Sequence, residues 1–364
     1  MARQQGEDAM ALNAEPRPGI LDHLARMAPG TPLREGFERI LRGRTGALVV
    51  LGRNRVITTI STGGFALDVP YTATALRELA KMDGAIVLDA ESMRIVSAGV
   101  QLMPDPAIPT VETGTRHRTA DRVARQSGLP VISVSASMST ISLFLDSSRH
   151  VFEQSDQILS RANQALQTLE RYRARVSEVT ARLSSLEVQD QVTVRDVALV
   201  AQRLEMVRRL NAELDGYVVE LGSDGRLLAL QLYELSAGLD SLRELLELDY
   251  RPADDPGFGF AGLAPLDLND LLNPLALARA IGFAGQDHLD TRVSARGYRQ
   301  VAQIGRLPPG LGARLIEHFG SLQSLFAASS TELQAVEGVG ESRARIIRDG
   351  LLRLAEAGYS DRIE

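Results

Sequence analysis

The sequence contains no cysteine, and this absence excludes several kinds of chemistry together. Disulfide bonds, zinc sites built on thiolates and cysteine nucleophiles all require that residue. A chain without cysteine also fits a reducing, cytoplasmic compartment.

Long apolar runs are missing as well. The longest, such as residues 47–51 and 85–88, fall far below the roughly 20 residues that span a bilayer, and they predict buried strands instead. The N-terminal segment MARQQGEDAMALNAEPRP lacks the apolar core of a signal peptide, so we expect a flexible tail over residues 1–20. The sequence thus predicts no membrane partner.

Lysine is nearly absent too, since Lys81 is the only one, and no Gly-x-x-x-x-Gly-Lys-Ser/Thr loop occurs. An ordinary P-loop nucleotidase is therefore excluded. The net charge of −6 argues against nonspecific affinity for nucleic acid over the whole chain. Residues 292–348, however, carry eight arginines against four glutamates. A basic end on an acidic chain is typical of a module that binds phosphate.

The length of 364 residues predicts two or three domains. Residues 21–150 alternate helical and strand patterns, which predicts an α/β domain with a mixed sheet flanked by helices. The predicted helices cover residues 33–41, 72–81 and 120–126, and the predicted strands cover 46–52, 84–88, 130–134 and 140–145.

Residues 151–285 predict an all-α helical spine followed by a linker. Apolar residues recur at three- and four-residue steps from Ile158 to Leu186, which indicates one helix about 50 Å long. Two further helices are predicted over 194–220 and 227–248. The segment 251–275 is rich in Pro, Gly and Asp and is predicted to be an open linker. The simplest interpretation is a spacer or oligomerisation bundle without chemistry of its own.

Residues 286–364 contain two Gly-apolar-Gly motifs that begin 28 residues apart, at Gly310–Gly312 and Gly338–Gly340. Glycine permits a tight turn and a close ligand, and the following helix N-terminus presents N–H groups to a phosphate. Arg343 and Arg345 add positive charge beside the second motif. This arrangement resembles the all-α tandem helix-hairpin-helix domain of DNA repair and recombination proteins. It predicts sequence-independent DNA binding, and a protein–protein module on the same scaffold is the alternative.

Three short motifs in the N-terminal domain are most informative when taken together: Asp83-Gly84-Ala85, Thr115-Arg-His-Arg-Thr119 and Ser133-Val-Ser-Ala-Ser137. Each alone is explained by a turn or a solvated helix start. Together they describe a triphosphate site. Arg116 and Arg118 supply forked donors, and Thr119 with the start of a helix adds hydroxyl and N–H donors. An aspartate on a tight turn can hold a divalent metal or accept a proton from a hydroxyl.

These motifs, in this domain order, resemble the diadenylate cyclase family, in the form that joins a cyclase domain to a helical spine and helix-hairpin-helix motifs. The resemblance implies synthesis of cyclic di-AMP from two ATP molecules with Mg²⁺ or Mn²⁺. It implies that Asp83 engages the metal and the ribose 3′-hydroxyl, and that Gly84 lies near the ribose. It also implies that Leu102, in the loop before the Arg-His-Arg run, contacts adenine through its backbone. The triphosphate would be bound by Arg116, His117, Arg118 and Thr119, and its γ-phosphate by Ser135. One departure is Ala136, where some members carry arginine.

The same resemblance implies an assembly and further partners. Since one domain carries one set of motifs and two ATP molecules must meet, the site forms between two subunits related by a two-fold axis. The family implies a homo-octamer assembled through the spine, binding of branched, Holliday-junction-like double-stranded DNA, and a bacterial, cytoplasmic, nucleoid-associated location. It also suggests that branched DNA lowers cyclase activity. A noncatalytic DNA-repair scaffold that only senses a nucleotide remains the alternative.

Overall fold

The computed structural model describes residues 18–251, 257–283, 288–305, 307–308 and 310–360. Most of the predicted N-terminal tail, as well as Arg306 and Pro309 of the first hairpin, lies outside these ranges. Two compact units are present. The first comprises Met1–Gln164 and Glu213–Gln231, and the second comprises Ala165–Ala212 and Leu232–Glu364.

A mixed sheet of eight strands forms the centre of the first unit, in the order β2-β5-β4-β1-β6-β7-β8, with β3 also paired to β5. The strands are β1 (Ala47–Leu51), β2 (Ser61–Thr62), β3 (Phe65–Pro70), β4 (Ala85–Asp89), β5 (Arg94–Leu102), β6 (Val131–Ser135), β7 (Thr140–Leu145) and β8 (Ser148–Phe152). The central strands β1, β4 and β6 carry buried apolar residues on both faces, because helices cover both faces.

Helices pack on each face of this sheet. One apolar core contains residues of α1 (Pro18–Arg26), α2 (Pro32–Arg42) and α4 (Ala73–Leu79). The core on the opposite face contains residues of α3 (Arg55–Ile60) and α5 (Thr115–Ser127). The α2, α3 and α4 helices begin at Thr31, Asn54 and Thr72, whose side chains accept a backbone N–H in the first turn.

The strand register brings the starts of β1 and β4 and the end of β6 to one edge of the sheet. Strand β1 is parallel to β4 and antiparallel to β6, with Val49 opposite Ile86 and Ala47 opposite Val134. The starts of β1 and β4 therefore lie beside the end of β6. We call this the glycine edge, defined by Gly46, Gly84 and Ser135.

The second unit is helical. Its helices are α6 (Ser155–Val188), α7 (Val194–Leu221) and α8 (Arg226–Ser236), parts of which belong to the first unit, and α9 (Leu239–Tyr250), α10 (Leu268–Leu272), α11 (Pro274–Ala280), α12 (Tyr298–Ala302), α13 (Leu311–Phe319), α14 (Leu322–Ala327), α15 (Ser330–Gln334) and α16 (Glu341–Ser360). The predicted fold class is confirmed: a mixed α/β domain, a helical spine and a helical C-terminal region.

A buried polar cluster joins three helices of this unit. The Glu187 carboxylate on α6 accepts hydrogen bonds from Arg299 Nη2 at 2.5 Å and from the Tyr250 hydroxyl at 2.6 Å. Gln300 donates to the same carboxylate, and Asp249 accepts the backbone N–H groups at the start of α12. Each charge thus has a partner away from water, which is the condition for burying it.

Several predicted boundaries were wrong. The helix predicted over 227–248 is two helices, because Gly238 lies in the left-handed region with φ +76° and ends the first one. The segment predicted as an open linker is folded in its described part, where Phe260, Leu263 and Leu271 are buried. Its Asp and Asn residues cap short helices. Within the described ranges, every helix falls short of the length or apolarity needed to cross a bilayer.

Candidate active site and candidate nucleic-acid interface

The Asp83-Gly84 turn leads from α4 into β4 and leaves the Asp83 side chain exposed. Gly84 has φ +108°, and a Cβ at this position would lie 2.5 Å from the carbonyl carbon of Gly99 on β5. Only glycine allows so close an approach of two backbones. The turn therefore requires Gly84, and it holds the Asp83 carboxylate at the glycine edge.

Helix α5 begins at Thr115, five residues before the predicted start at Ala120. The Arg-His-Arg run is therefore the first turn of the helix rather than the approach to it, because the extended Gly114 ends the preceding loop. Residues one position apart point about 100° apart on a helix. Arg116 and Thr119 consequently share a face, His117 points inward and is buried, and Arg118 is exposed on another side.

Arg116 lies directly over the start of β1. A Cβ on Gly46 would be 1.9 Å from Arg116 Nη1 and 3.1 Å from the carbonyl oxygen of Val134. Any side chain at position 46 would displace the guanidinium. Gly46 is thus a site residue that sequence reasoning treated only as a strand boundary.

His117 is 6% exposed and packs against Phe144 of β7, with ring centroids 5.9 Å apart. Burial lowers the pKa of His117, and the nearby positive charge of Arg149 lowers it further. The imidazole is therefore neutral near pH 7. Among the described residues, its Nε2 atom is buried without a hydrogen-bond partner.

Four hydroxyl side chains form two cross-strand pairs beneath α5. Ser133 is opposite Ser142, and Ser135 is opposite Thr140, all on the sheet face covered by this helix. We call this set the serine ladder. Within the described chain, the Ser133 and Thr140 hydroxyls are buried and unpartnered. Buried hydroxyls are costly without a hydrogen-bond partner, and such a partner can be ordered water or a bound polar ligand. In the sequence, these hydroxyls occupy every second position of their strands, Ser133 and Ser135 on β6 and Thr140 and Ser142 on β7, and this spacing places them on one face of the sheet.

One predicted residue differs in its surroundings from expectation. Leu102 is the last residue of β5, opposite Ser61 and buried, rather than a loop residue. Strand pairing continues to this position because Met103 N–H also bonds the Ile60 carbonyl at 2.8 Å. Ser135 ends β6, and its hydroxyl accepts the Met138 N–H at 3.3 Å while lying 3.3 Å from the Ser137 hydroxyl.

The glycine edge carries opposite charges that are not paired with each other. Neighbouring strands are about 4.8 Å apart, so the Gly84 and Val134 backbones, on either side of β1, are separated by about 10 Å. Within the described residues, Asp83 forms no ion pair, and no group of three His, Asp or Glu side chains is placed to hold a metal. A divalent ion could still bind there with one carboxylate plus substrate phosphate oxygens, which is how Mg²⁺ usually binds.

The C-terminal hairpins also have the predicted turns. Gly310, with φ +78°, precedes α13, and Gly338, with φ +88°, lies in the turn before α16. Arg343 Nη1 donates to the Gly338 carbonyl at 2.7 Å, whereas Arg345 is exposed and 3.5 Å from Glu341. Arg314 of α13 lies against the second hairpin, with Nη2 3.2 Å from where a Gly338 Cβ would be. Gly312 lies within α13 near Val301, and Gly340 is open to its surroundings.

Fewer arginines are available to a ligand in this region than the count of charged residues in the sequence suggests. Arg299 is buried and belongs to the polar cluster with Glu187. Arg296 donates to the Arg251 carbonyl, and Arg348 donates to the Ala328 carbonyl. The exposed cations around the second hairpin are Arg314, Arg343 and Arg345.

Comparison with known proteins agrees with this fold. The family model described as "DisA bacterial checkpoint controller nucleotide-binding" matches residues 34–149, and "DisA bacterial checkpoint controller linker region" matches residues 152–289. The first unit therefore carries a nucleotide-binding domain of the diadenylate cyclase class.

Whole-chain relatives lead to a narrower assignment. The DNA integrity scanning protein DisA of Frankia casuarinae is 57% identical over 93% of this chain and 96% of its own length. That of Kineococcus radiotolerans is 58% identical with the same coverages, and that of Streptomyces coelicolor is 56% identical over 93% and 92%. The solved structure of Staphylococcus aureus DacA gives a TM-score of only 0.29 at 21% identity, over 36% of this chain and 88% of that one, so the assignment rests on the sequence relatives.

The chain belongs to the DisA family. Proteins of this family are diadenylate cyclases, which form cyclic di-AMP and two pyrophosphates from two ATP molecules. This assignment favours the enzyme over the noncatalytic scaffold that the sequence left open.

Proposed function

We propose that two copies of the cyclase domain face each other at their glycine edges and that the residues predicted from the sequence perform the reaction there. The observation that carries the proposal is the placement of an exposed Asp83 carboxylate and an exposed Arg116 guanidinium on adjoining segments of one edge. A triphosphate bound by Arg116, Thr119, His117 and Ser135 would bring its α-phosphorus toward the opposite subunit. Arg118 lies on another side of α5 and is the least well placed of the predicted residues. The backbones at Gly84 and Leu102 would border the ribose and the adenine.

Each half of the proposed reaction is a phosphoryl transfer. The 3′-oxygen of one ATP forms a bond to the α-phosphorus of the other, and the bond from that phosphorus to the pyrophosphate oxygen breaks. The 3′-hydroxyl proton leaves toward the Asp83 carboxylate. When the second half follows, the ring closes and two pyrophosphates have been released. The arginines bind the phosphate oxygens through forked N–H groups.

A divalent cation, Mg²⁺ or Mn²⁺, would be held by Asp83 together with phosphate oxygens. It would offset the charge of the triphosphate. Asp83 offers a single exposed carboxylate at the glycine edge. The protein would therefore hold such an ion only when the phosphate oxygens of a bound nucleotide supply further ligands.

Exposed apolar side chains near the glycine edge support a subunit contact. Phe65 is 62% exposed, Met103 65%, Val111 92% and Met138 53%. Met103 follows β5, Met138 follows β6, and Val111 lies in the loop before α5. Apolar groups clustered beside a polar site are typical of a surface that a partner covers. We further propose assembly into an octamer through the spine, supported by exposed Leu227 and Leu230 one turn apart on α8.

The C-terminal hairpins, in our proposal, bind the phosphates of branched double-stranded DNA and thereby lower cyclase activity in the nucleoid. Support comes from the left-handed turns at Gly310 and Gly338 and from the exposed arginines beside them. Backbone contacts of this kind carry no base information, so the affinity should fall steeply with salt.

The catalytic assignment is tested by Asp83→Asn. We expect the variant to lose cyclic di-AMP synthesis, followed by chromatography with ATP and Mn²⁺, while its melting temperature and junction binding stay close to those of the parent. Asp146→Asn is the matched control, because Asp146 is also an exposed turn aspartate, on the β7–β8 hairpin. Retained synthesis by Asp83→Asn would remove Asp83 from the mechanism. Assays with and without four-way junction DNA test the coupling, and an unchanged turnover would exclude it.

A further inference from the structure

Arg149 on β8 is a charged residue beside the proposed site and has no role in the proposed phosphoryl transfer. Its Nη1 atom donates to both oxygens of Glu112, at 3.1 and 3.0 Å, and its Nη2 atom donates to the Ser142 hydroxyl of the serine ladder at 3.3 Å. The guanidinium carbon also lies 5.7 Å from the ring centroid of Phe144. One side chain thus contacts a loop, the ladder and an aromatic ring.

The loop that Arg149 contacts leads directly into the first turn of α5. Its early part is attached to the end of that helix, since Asp105 N–H donates to Gln126 and Arg122 donates to the Ile108 carbonyl. Its last part is attached to the sheet by the Arg149–Glu112 pair, two residues before Gly114. The Glu112 side chain is only 14% exposed, and that of Arg149 is 31% exposed. One guanidinium nitrogen of Arg149 thus holds both Glu112 oxygens while the other holds Ser142, and a partly buried pair of this kind constrains geometry more than an exposed one does.

His117 is contacted from the same direction. Phe144 lies opposite Arg149 in the β7–β8 pair, and the His117 ring packs against Phe144. The charged groups that act on His117 are Arg149 from β8, Glu112 from the loop and Arg116 from its own helix. Arg149 is therefore placed to orient both the backbone that starts α5 and the imidazole that this helix carries.

We propose that Arg149 is a positioning residue for the cyclase reaction: by holding Glu112 and Ser142, it aligns the first turn of α5 with the serine ladder for the ATP triphosphate. This inference rests on the proposed function, because it takes that turn as the triphosphate site. Arg149 itself would make no contact with the nucleotide. It acts through the position of Arg116, His117 and Thr119.

The test compares Arg149→Met, Arg149→Lys and Glu112→Gln in the full chain. A displacement of about 1 Å in a binding group can lower rates by about 100-fold, so we expect Arg149→Met to raise the KM for ATP by about 10- to 100-fold. The kcat should change much less, because Asp83 is on another segment. Arg149→Lys should recover part of the loss, since lysine keeps the charge but lacks the fork. Binding of 3′-deoxy-ATP, which lacks the attacking hydroxyl, should weaken in parallel.

Arg94→Met is the matched control, because Arg94 on β5 also forms an ion pair with a carboxylate, that of Asp68. Arg94 lies opposite Asp89, at the end of β4 that is away from the glycine edge. In a double-mutant cycle, Arg149→Met and Glu112→Gln should be strongly non-additive in 3′-deoxy-ATP affinity. A KM and affinity within twofold of the parent, or equal losses of kcat and melting temperature in Arg149→Met and Arg94→Met, would overturn the inference. Failure of Arg116→Met to weaken 3′-deoxy-ATP binding would instead reject the proposed site itself.

Discussion

Replacing Gly84 by alanine is the most discriminating single change that the structure suggests. The new methyl group would lie 2.5 Å from the carbonyl carbon of Gly99 and 2.9 Å from Val100 N, both backbone atoms of β5. Neither can move without breaking strand pairing, since Ala85 is paired with Val100. The chain must then shift at the turn that carries Asp83.

The magnitude follows from two separate contributions. A non-glycine residue at φ +108° costs about 1 to 3 kcal/mol of backbone strain. Overpacking against a fixed neighbour costs about 1 to 3 kcal/mol more. We therefore expect Gly84→Ala to lower the unfolding free energy of the first unit by about 2 to 6 kcal/mol. Cyclase activity should fall by about 100-fold, because a displacement of about 1 Å is sufficient for that loss.

Gly63→Ala separates the two contributions. Gly63 has φ +66°, but nothing lies within 4 Å of its would-be Cβ, so the variant should show only about 1 to 2 kcal/mol of strain. Thermal unfolding and cyclic di-AMP assays on both variants measure the difference. If Gly84→Ala is no less stable and no less active than Gly63→Ala, the close approach of the two backbones is not what positions Asp83.

Three further predictions concern other parts of the chain. Glu187→Gln leaves the buried Arg299 without a counter-charge and should lower the unfolding free energy of the second unit by about 3 to 5 kcal/mol in denaturant unfolding. Glu341→Gln, whose partner Arg345 is exposed, should change that free energy by less than about 1 kcal/mol. Equal effects would contradict the buried ion pair of Glu187 with Arg299. Replacing Gly338 and Gly340 by valine should weaken binding of four-way junctions in gel shifts at fixed salt, and unchanged binding would count against the hairpin as the DNA contact. The pKa of His117 is lowered in the folded chain, so the contribution of His117 to stability is complete above about pH 6.5 and is lost as the pH falls through the pKa of the folded state. The melting temperature should therefore drop less on acidification in His117→Gln than in the parent. Identical drops would refute the buried, neutral imidazole.

The sequence was informative where a local pattern has one structural meaning. The buried runs of β1 and β4, the turn glycines at 84, 310 and 338 and the long period of α6 all predict what the structure contains. The domain bounds at 20, 150 and 285 stay predictions. Strands β2, β3, β5 and β8 were missed, because their residues are partly exposed and lack a continuous apolar run.

The tertiary part of the site could not be predicted from local patterns. Gly46 lies under Arg116 only because β1 and α5 meet at the glycine edge, although they are about 70 residues apart in sequence. Arg149 and Glu112 are 37 residues apart. Arg299 looked like a free cation because the glutamate that neutralises it lies 112 residues earlier in the chain. Pairings across such separations depend on the fold, and no window of sequence contains both partners.

The Glu187–Arg299 contact also bears on how the C-terminal hairpins can be studied. A chain shortened before α12 would take Arg299 and Gln300 away from the Glu187 carboxylate and two backbone N–H groups of α12 away from Asp249, so the spine itself would be damaged by the cut. Loss of DNA response in such a truncation could not be attributed to the hairpins. Point changes at Gly338 and Gly340, which leave the spine contacts in place, are the cleaner way to silence that module.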